Sequence, residues 1–468
     1  MIYRLVLLLS LFGFWKLVKR DNSMRDGISP TLWIPTLWVM IVSSRPLSMW
    51  AGFGGGSSTM EGSPLDALFY FVLIIAAFVV LSRRGLNWSL VISQNWPVFL
   101  FYGYLLISVL WANSTPVSFK RWVKEFGNIV ILLVILTEEN PQQALRAVFV
   151  RCAYLLLPLS VIFIRWFPSL GRFYSSHGGG GEFVGVTTQK NNLGALVLVC
   201  GLIILWDWLE LRREQEPSRK MRTQKWIHGG LLLMGLYLFY MCNSVTSMVC
   251  FGVGAVIIAA TRLRFLRQRL RLLGVLVLAA ALSFWAFDQM FGLKEEVIEG
   301  LGRDMTFTGR TDVWRELLNL KTDPMFGVGF MSFWDDMQYR SKLPNWVAFS
   351  AHNGYVEEYI TGGWVGIFLL VLMLIAVGFR INKRLMWDGD YGIVRFAIFP
   401  VTLIANFSES YFAYMSPIGF LFLLAAIGYA PGFVNQSNEA LATDQDPESQ
   451  AEDVINLHAA PTLRSHVR

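Results

Sequence analysis

A chain of 468 residues with 54% hydrophobic and only 16% charged side chains has too little polar surface to coat a globule in water, where charged residues ordinarily supply about 25%. At about 20 apolar residues per bilayer crossing, about a dozen crossings would use about half the chain and leave the rest for loops and tails. This excludes a secreted disulfide scaffold, a nucleic-acid-binding domain and a disordered tail protein as the main identity, and a net charge of +7 is what a polytopic membrane protein acquires by keeping Lys and Arg on its cytoplasmic loops.

In chain order, apolar runs interrupted by polar or turn residues place spans near 2–18, 31–47, 65–82, 95–111, 122–137, 144–166, 191–209, 226–242, 245–261, 272–290, 354–379, 393–408 and 414–430. The expected fold is an all-α polytopic membrane protein of about 12–13 transmembrane helices, with a long, partly helical external loop before the last three spans. Residues 1–290 would carry the first ten helices, 291–353 the loop, 354–430 the last three helices, and 431–468, rich in Asn, Gln, Ser, Asp and Glu, a cytoplasmic disordered tail. The first run carries Arg4 and Lys16, which leaves it open between a span and a signal-like or interfacial segment. Cys152, Cys200, Cys242 and Cys250 lie in or beside apolar runs without a Cys-x-x-Cys neighbour, and read as small core hydrophobes.

Successive spans alternate in direction, so the basic clusters can be assigned to sides. Arg83-Arg84, the cluster from Arg212 to Lys225, the run from Arg262 to Arg271, and Arg380 with Lys383-Arg384 all fall on one side, the cytoplasm. The other side receives 51–64, 112–121, 167–190, the Asn243-Ser244 turn, the 291–353 loop and the 409–413 turn.

Basic residues left on that outer side need a reason. They are Lys120, Arg121, Lys124, Arg165, Arg172, Lys190, Arg303, Arg310, Arg315, Lys321, Arg340 and Lys342. Any one of them can snorkel among headgroups. Several converging on one face would bind a diphosphate or another dense anion, with Arg forks on its oxygens. Lys124 and Glu125, inside an expected span, need a partner or a wet cavity.

The long loop holds the densest constellation. Thr308-Gly-Arg310-Thr-Asp-Val-Trp314 leads into a helix whose apolar face is Val313, Trp314, Leu317, Leu318 and Leu320, with Thr311 as its cap. The Gly327 and Gly329 spacing lets backbone pass close to another surface. Ala351-His352-Asn353-Gly354-Tyr355 then opens the eleventh span, placing His352 where lipid meets outer water. Its ring suits either an interfacial hydrogen bond or proton abstraction near neutrality, and Glu357 and Glu358 stand at distances that could orient it. His177, in a Gly-rich external stretch, is a weaker candidate. Asp335-Asp336 reads as a solvated loop rather than a metal site, since no third ligand stands at a recognisable spacing. Gly362 and Gly366 match a small-xxx-small helix contact, and no Walker pattern is present.

Four stretches resemble the O-antigen ligase and O-antigen or exopolysaccharide polymerase superfamily of bacterial inner-membrane glycosyltransferases. They are Ser108-Val-Leu-Trp111-Ala-Asn113 ahead of Arg121; Gly185-Val-Thr-Thr-Gln-Lys190-Asn191-Asn192-Leu-Gly194; Thr308 to Trp314 with Pro324-x-x-Gly327-x-Gly329-Phe330; and Ala351 to Tyr355 with Gly363-x-x-Gly366. They cover residues 108 to about 370, and the Gln-Lys-Asn-Asn-Leu-Gly form is most similar to the exopolysaccharide-polymerase branch. The resemblance implies that Arg310 binds the diphosphate of an undecaprenyl-diphosphate-linked glycan donor and that His352 activates the acceptor hydroxyl on the periplasmic face. It implies a second basic residue in an earlier external loop, where Lys190 stands, with Arg172 and Arg121 as rivals. Glu357, Asn353 and Asn192 would support them.

Such chemistry needs no metal and no cofactor, because the diphosphate is already a good leaving group and inversion follows from a single displacement. Expected partners are the donor, a glycan or lipid acceptor, membrane lipids and other polysaccharide-assembly proteins, with no nucleic acid. Polymerase and ligase differ only in acceptor and stay open at this point. A transporter or flippase of lipid-linked oligosaccharide or a small solute is the alternative, with Lys124 and Glu125 as its main mid-span charges.

Overall fold

The fold comes from a computed structural model that describes residues 2–25, 27–52, 63–174, 181–212, 218–263, 310–344, 346–347, 349–385, 389–428 and 434. Among them the helices are α1 (Ile2–Asn22), α2 (Trp33–Val42), α3 (Leu47–Trp50), α4 (Pro64–Arg83), α5 (Trp88–Gln94), α6 (Trp96–Ser108), α7 (Thr115–Leu136), α8 (Pro141–Trp166), α9 (Pro168–Gly171), α10 (Lys190–Leu211), α11 (Arg219–Cys242), α12 (Val245–Ala260), α13 (Arg310–Asn319), α14 (Met337–Arg340), α15 (Gly354–Arg384), α16 (Gly389–Ala405) and α17 (Pro417–Ala426). A two-residue antiparallel ribbon, β1 (Arg172–Phe173) with β2 (Glu182–Phe183), interrupts them. Every expected span on described residues coincides with one of these helices. The expected span at 272–290, the basic run from Arg264 to Arg271, His177, Arg303, Thr308 and the tail from 435 lie outside the described residues.

Local chemistry explains where the helices begin. Proline, whose missing N–H costs nothing in a first turn, occupies an opening position in α4, α6, α7, α8 and α17. The side chains of Ser63, Asn87, Asn140, Ser218, Asn353 and Ser416 accept hydrogen bonds from the free amides of the helices they precede.

The chain is an all-α polytopic membrane protein. α4, α8, α10 and α15 are each long and apolar enough to cross a bilayer alone. The pair formed by α5 and residues 96–111 passes the same test but bends by 96°, and three shorter apolar helices accompany them. The apolar windows of α8 and α10 are 83% and 78% buried against 28% for α4, so the first two form the centre of the bundle and α4 its flank. All four cysteines are buried and free, as their apolar surroundings predict.

The two ends of the bundle carry separate polar networks. At one end Arg25 binds Asp21 and Asp207 at 2.9 and 2.8 Å, Arg84 binds Glu138, and Arg262 binds Glu210 at 2.5 Å. At the other, Arg45, Arg121, Lys190, Arg310 and His352 engage loop backbone and loop carboxylates.

The long loop is built onto α15. Gly363 has a positive φ of 60°, which breaks that helix and frees backbone groups that nothing apolar can satisfy. Residues 324–329 supply the partners: the amides of Val328 and Gly329 donate to the carbonyls of Ile360 and Thr361 at 2.9 and 3.0 Å, and those of Trp364 and Val365 donate to Pro324 and Met325 at 2.8 and 3.1 Å. A Cβ at Gly327 would lie 2.5 Å from the Thr361 carbonyl oxygen, and one at Gly329 would lie 2.7 Å from that of Ser108. The close backbone approach expected of this segment is therefore present. Gly362 and Gly366 receive the ring of Tyr104 from α6 and the carboxylate of Glu358.

Above the break, Val313 and Leu317 of α13 pack with Val328, Phe333, Leu343, Val347, Ala351 and Ile360 into a second apolar core, distinct from the main one. Two details of the expected helix are corrected. It begins at Arg310, so Thr311 lies inside its first turn rather than at its cap, and Leu318 is 53% exposed because it falls off the buried stripe.

Candidate active site

The site forms where helix ends meet at one end of the bundle. Asn406 folds the turn after α16: its side-chain carbonyl accepts from the amides of Tyr411 and Phe412 at 2.9 and 3.0 Å, and its amide donates to Thr402. The turn presents Glu409. The amide of Gly354, opening α15, donates to the carbonyls of Asn406 and Glu409, and a Cβ there would stand 2.2 Å from the Asn406 side-chain oxygen. Glycine at 354 thus lets the start of α15 lie directly on this turn.

Three side chains from three other segments converge on the Glu409 carboxylate. Arg310 donates through Nη2 to Oε1 at 2.8 Å and through Nη1 to the carbonyl of Ser408. Asn191 donates through Nδ2 to Oε1 at 2.6 Å. His352 Nδ1 lies 2.9 Å from Oε2. An ionised carboxylate only accepts, so it favours the tautomer with the proton on Nδ1, which in a neutral ring leaves Nε2 as the acceptor a general base requires. His352 is about a quarter exposed, Arg310 and Glu409 less.

The backbone at His352 is held in an unusual conformation, with φ of 48°. The residues around it account for its persistence. Trp314, one helical turn after Arg310 and so on the same face of α13, donates Nε1 to the carbonyl of Ala351 at 2.9 Å. Glu357 accepts the Ala351 amide at 2.9 Å and Trp334 Nε1 at 2.6 Å. Asn353 caps α15 through Tyr355 and Val356, and the His352 amide donates to Ser350 Oγ at 3.1 Å.

The acid that orients the imidazole is therefore Glu409 rather than Glu357 or Glu358. Glu357 braces the preceding backbone instead, and Glu358 is buried against Tyr104 and the glycines of its own helix. Lys190 opens α10 beside Asn191 and pairs with Glu182 of β2. Asn192 bonds Thr188 at 3.3 Å. Arg121 is engaged by Asp335 at 2.5 Å and by the Met331 carbonyl, which fastens the loop to α7. Arg172 donates to Ile164 and packs over the Phe183 ring. The structure thus joins Arg310 and His352, sets Lys190 one residue from the cluster, and gives Arg121 and Arg172 other contacts. Asp335 and Asp336 serve separate purposes, the second accepting the Gln338 amide.

Sequence reasoning passed over Glu409, Asn191 and Arg45. Glu409 is the only carboxylate in a short polar turn between two apolar spans, which was a usable signal. Arg45 is buried and donates to the carbonyls of Leu170, Gly185 and Thr187, organising the strand-bearing loop that leads to Lys190. Burial first, and then the charge of Glu409, push the Tyr411 phenol well above its ordinary pKa, so it remains neutral beside the carboxylate. Lys124 stands over the Tyr70 ring and Glu125 accepts from Asn128 at 3.2 Å. A cavity of about 450 Å³ lies at the opposite end, among Asp21, Arg25, Arg146, Asp207 and Lys220, away from this cluster.

Fold and site together define a multi-pass membrane protein with an arginine and a histidine assembled on one carboxylate at the edge of the bundle. Residues 229–371 match the profile of the family described as O-Antigen ligase. The chain is also 23% identical over 367 residues to the exopolysaccharide production protein ExoQ of Rhizobium meliloti (strain 1021), an alignment covering 74% of this chain and 78% of that protein. Both matches concern polysaccharide assembly, and both bear out the resemblance carried by the four motifs. The profile match contains Arg310 and His352 and ends before Glu409.

Proposed function

We propose that this protein is a glycosyltransferase that polymerises or ligates surface polysaccharide, O-antigen or exopolysaccharide, from an undecaprenyl-diphosphate-linked glycan donor at the periplasmic face of the bacterial inner membrane. The observation that carries the reading is the meeting of Arg310 and His352, distant in sequence, on Glu409. An acceptor hydroxyl attacks the anomeric carbon as its proton passes to His352 Nε2. The bond from that carbon to the diphosphate oxygen breaks, and the departing charge is taken up by Arg310 with Lys190 nearby. Attack opposite the leaving group inverts the anomeric configuration. Glu409 stabilises the imidazolium that forms, as a buried acid does in other His-based sites.

The lipid tail stays in the bilayer while the diphosphate reaches the cluster, which accounts for a site at the boundary rather than in a soluble domain. Purified protein in lipid nanodiscs, given a defined lipid-linked oligosaccharide and either a second lipid-linked repeat or a lipid A core, should yield a product of added repeat mass in one of the two mixtures, with EDTA present. No product with either acceptor, alongside vesicle uptake of the oligosaccharide, would replace the enzyme reading with transport.

A further inference from the structure

We infer that Glu409 is an internal stand-in for the diphosphate: it holds Arg310 while no donor is bound and gives that arginine up when donor arrives, so that the carboxylate then serves His352 alone. The inference rests on the function proposed above and concerns the order of events at the same site. Both oxygens of Glu409 are committed, Oε1 to Arg310 and Asn191 and Oε2 to His352, and Arg310 spends its second nitrogen on the Ser408 carbonyl. A guanidinium so engaged has its carboxylate-facing edge occupied. A diphosphate carries more charge than one carboxylate and accepts forked contacts, so it takes the guanidinium from Glu409.

Asn191 is what makes the exchange productive. Its amide stays on Oε1 after Arg310 leaves, which keeps the carboxylate in register with His352 Nδ1. Asn191 is in this sense a positioning residue. The other charged and phenolic groups around the turn remain in place during the exchange: Lys190 on Glu182, Glu357 on Ala351 and Trp334, Arg121 on Asp335, and the phenols of Tyr411 and Tyr414. With the donor absent, the negative charge of Glu409 is shared between a guanidinium and an imidazole. With donor bound it faces the imidazole and Asn191 alone, so the carboxylate is dedicated to holding the ring only when there is something to transfer.

The test measures inorganic pyrophosphate binding and, separately, turnover of lipid-linked donor by the full-length protein in nanodiscs. Glu409→Gln should bind pyrophosphate about tenfold more tightly than wild type, because the competing charge is gone, while turnover is lost. Asn191→Ala should leave the donor KM near wild type and lower kcat, a split that a merely structural role would not produce. Combining Arg310→Ala with Glu409→Gln should abolish the gain in affinity. Wild-type or weaker pyrophosphate binding by folded Glu409→Gln overturns the exchange. Should that variant not fold, Glu409→Asp takes its place: the shorter acid cannot reach both partners, so tighter binding with reduced turnover is expected, and weaker binding overturns the inference. Pyrophosphate binding by Arg310→Ala equal to wild type would instead strike the proposed function itself, since Arg310 would then not be the diphosphate ligand.

Discussion

Replacing Arg310 by Lys separates charge from geometry at the cluster. The guanidinium reaches two acceptors at once, Glu409 Oε1 through Nη2 at 2.8 Å and the Ser408 carbonyl through Nη1. An ammonium at the end of a longer, single-pronged stem keeps the positive charge but not the fork, and the same deficit applies to a diphosphate in place of Glu409. One lost charge-assisted hydrogen bond in a site about one-fifth exposed is worth about 1.5–3 kcal/mol, so the donor KM should rise by about 10- to 100-fold. The assay is steady-state transfer from a defined lipid-linked oligosaccharide in nanodiscs, with Arg310→Ala as the reference for complete loss. Lys should fall between Ala and wild type in kcat/KM. A wild-type KM and kcat for Arg310→Lys would show that neither the fork nor its geometry matters, and would remove Arg310 from donor recognition.

Removing the imidazole with His352→Ala should lower kcat by about 10²–10⁴-fold while donor binding is kept, since the general base touches the acceptor and not the diphosphate; equal losses in donor affinity and kcat would contradict that division. Gly327→Ala, at φ of 66° with its Cβ 2.5 Å from the Thr361 carbonyl oxygen, should force the 324–329 segment off the broken helix, and full thermal stability and activity of that variant would count against the segment's role. At the opposite end, burial alone would raise the pKa of Glu138, but its hydrogen bonds from Ser29 and Arg84 outweigh this and leave it below the ordinary carboxylate value. A carboxylate depressed on folding contributes stability above its unfolded pKa and loses it as pH falls through the folded one. The melting temperature in nanodiscs should therefore drop below about pH 4 by more in wild type than in Glu138→Gln, checked by a pH series of melts. Single cysteines at 190, 310 and 352 should react with a membrane-impermeant thiol reagent from one side only, the periplasmic one.

How much of this was legible beforehand differs by the kind of signal. Apolar runs are local, so each expected span on described residues falls on a helix, and α13 is visible in the spacing of Val313, Trp314 and Leu317. The glycines at 327 and 329 announced a close backbone approach, though not to which surface. Arg310 and His352 stood out because their types and their place on the outer side of the bundle were unusual. Glu409 did not, because a lone acid in a five-residue turn becomes meaningful only once the turn is folded by Asn406 against Gly354, a contact between segments that no periodicity records. For the same reason the sequence offers Glu357 and Glu358 as candidates to orient the ring, and Glu357 does something else. It stands five residues from His352 in sequence, but its helix directs it to the amide of Ala351 and the indole of Trp334. The break at Gly363 is less plain, since the glycines there also fit the small-xxx-small helix contact expected of Gly362 and Gly366.

The way the cluster is mounted bears on how it works. Arg310 and His352 both stand on the small outer core, the first through Val313 and Leu317 of α13, the second through Ala351 and the bond from Trp314 to its carbonyl. Glu409 and Asn191 stand on the membrane bundle, at the ends of α16 and α10. The contacts between the pairs are of two kinds: backbone bonds from the Gly354 amide to the carbonyls of Asn406 and Glu409, which hold the start of α15 on the turn, and charge-assisted bonds of side chains partly open to water. Bonds of the second kind are the ones an incoming polyanion can replace without disturbing the first. A diphosphate arriving at this cluster thus meets contacts that resemble its own chemistry, and the helices that carry Arg310, His352 and Glu409 need not unfold to admit it.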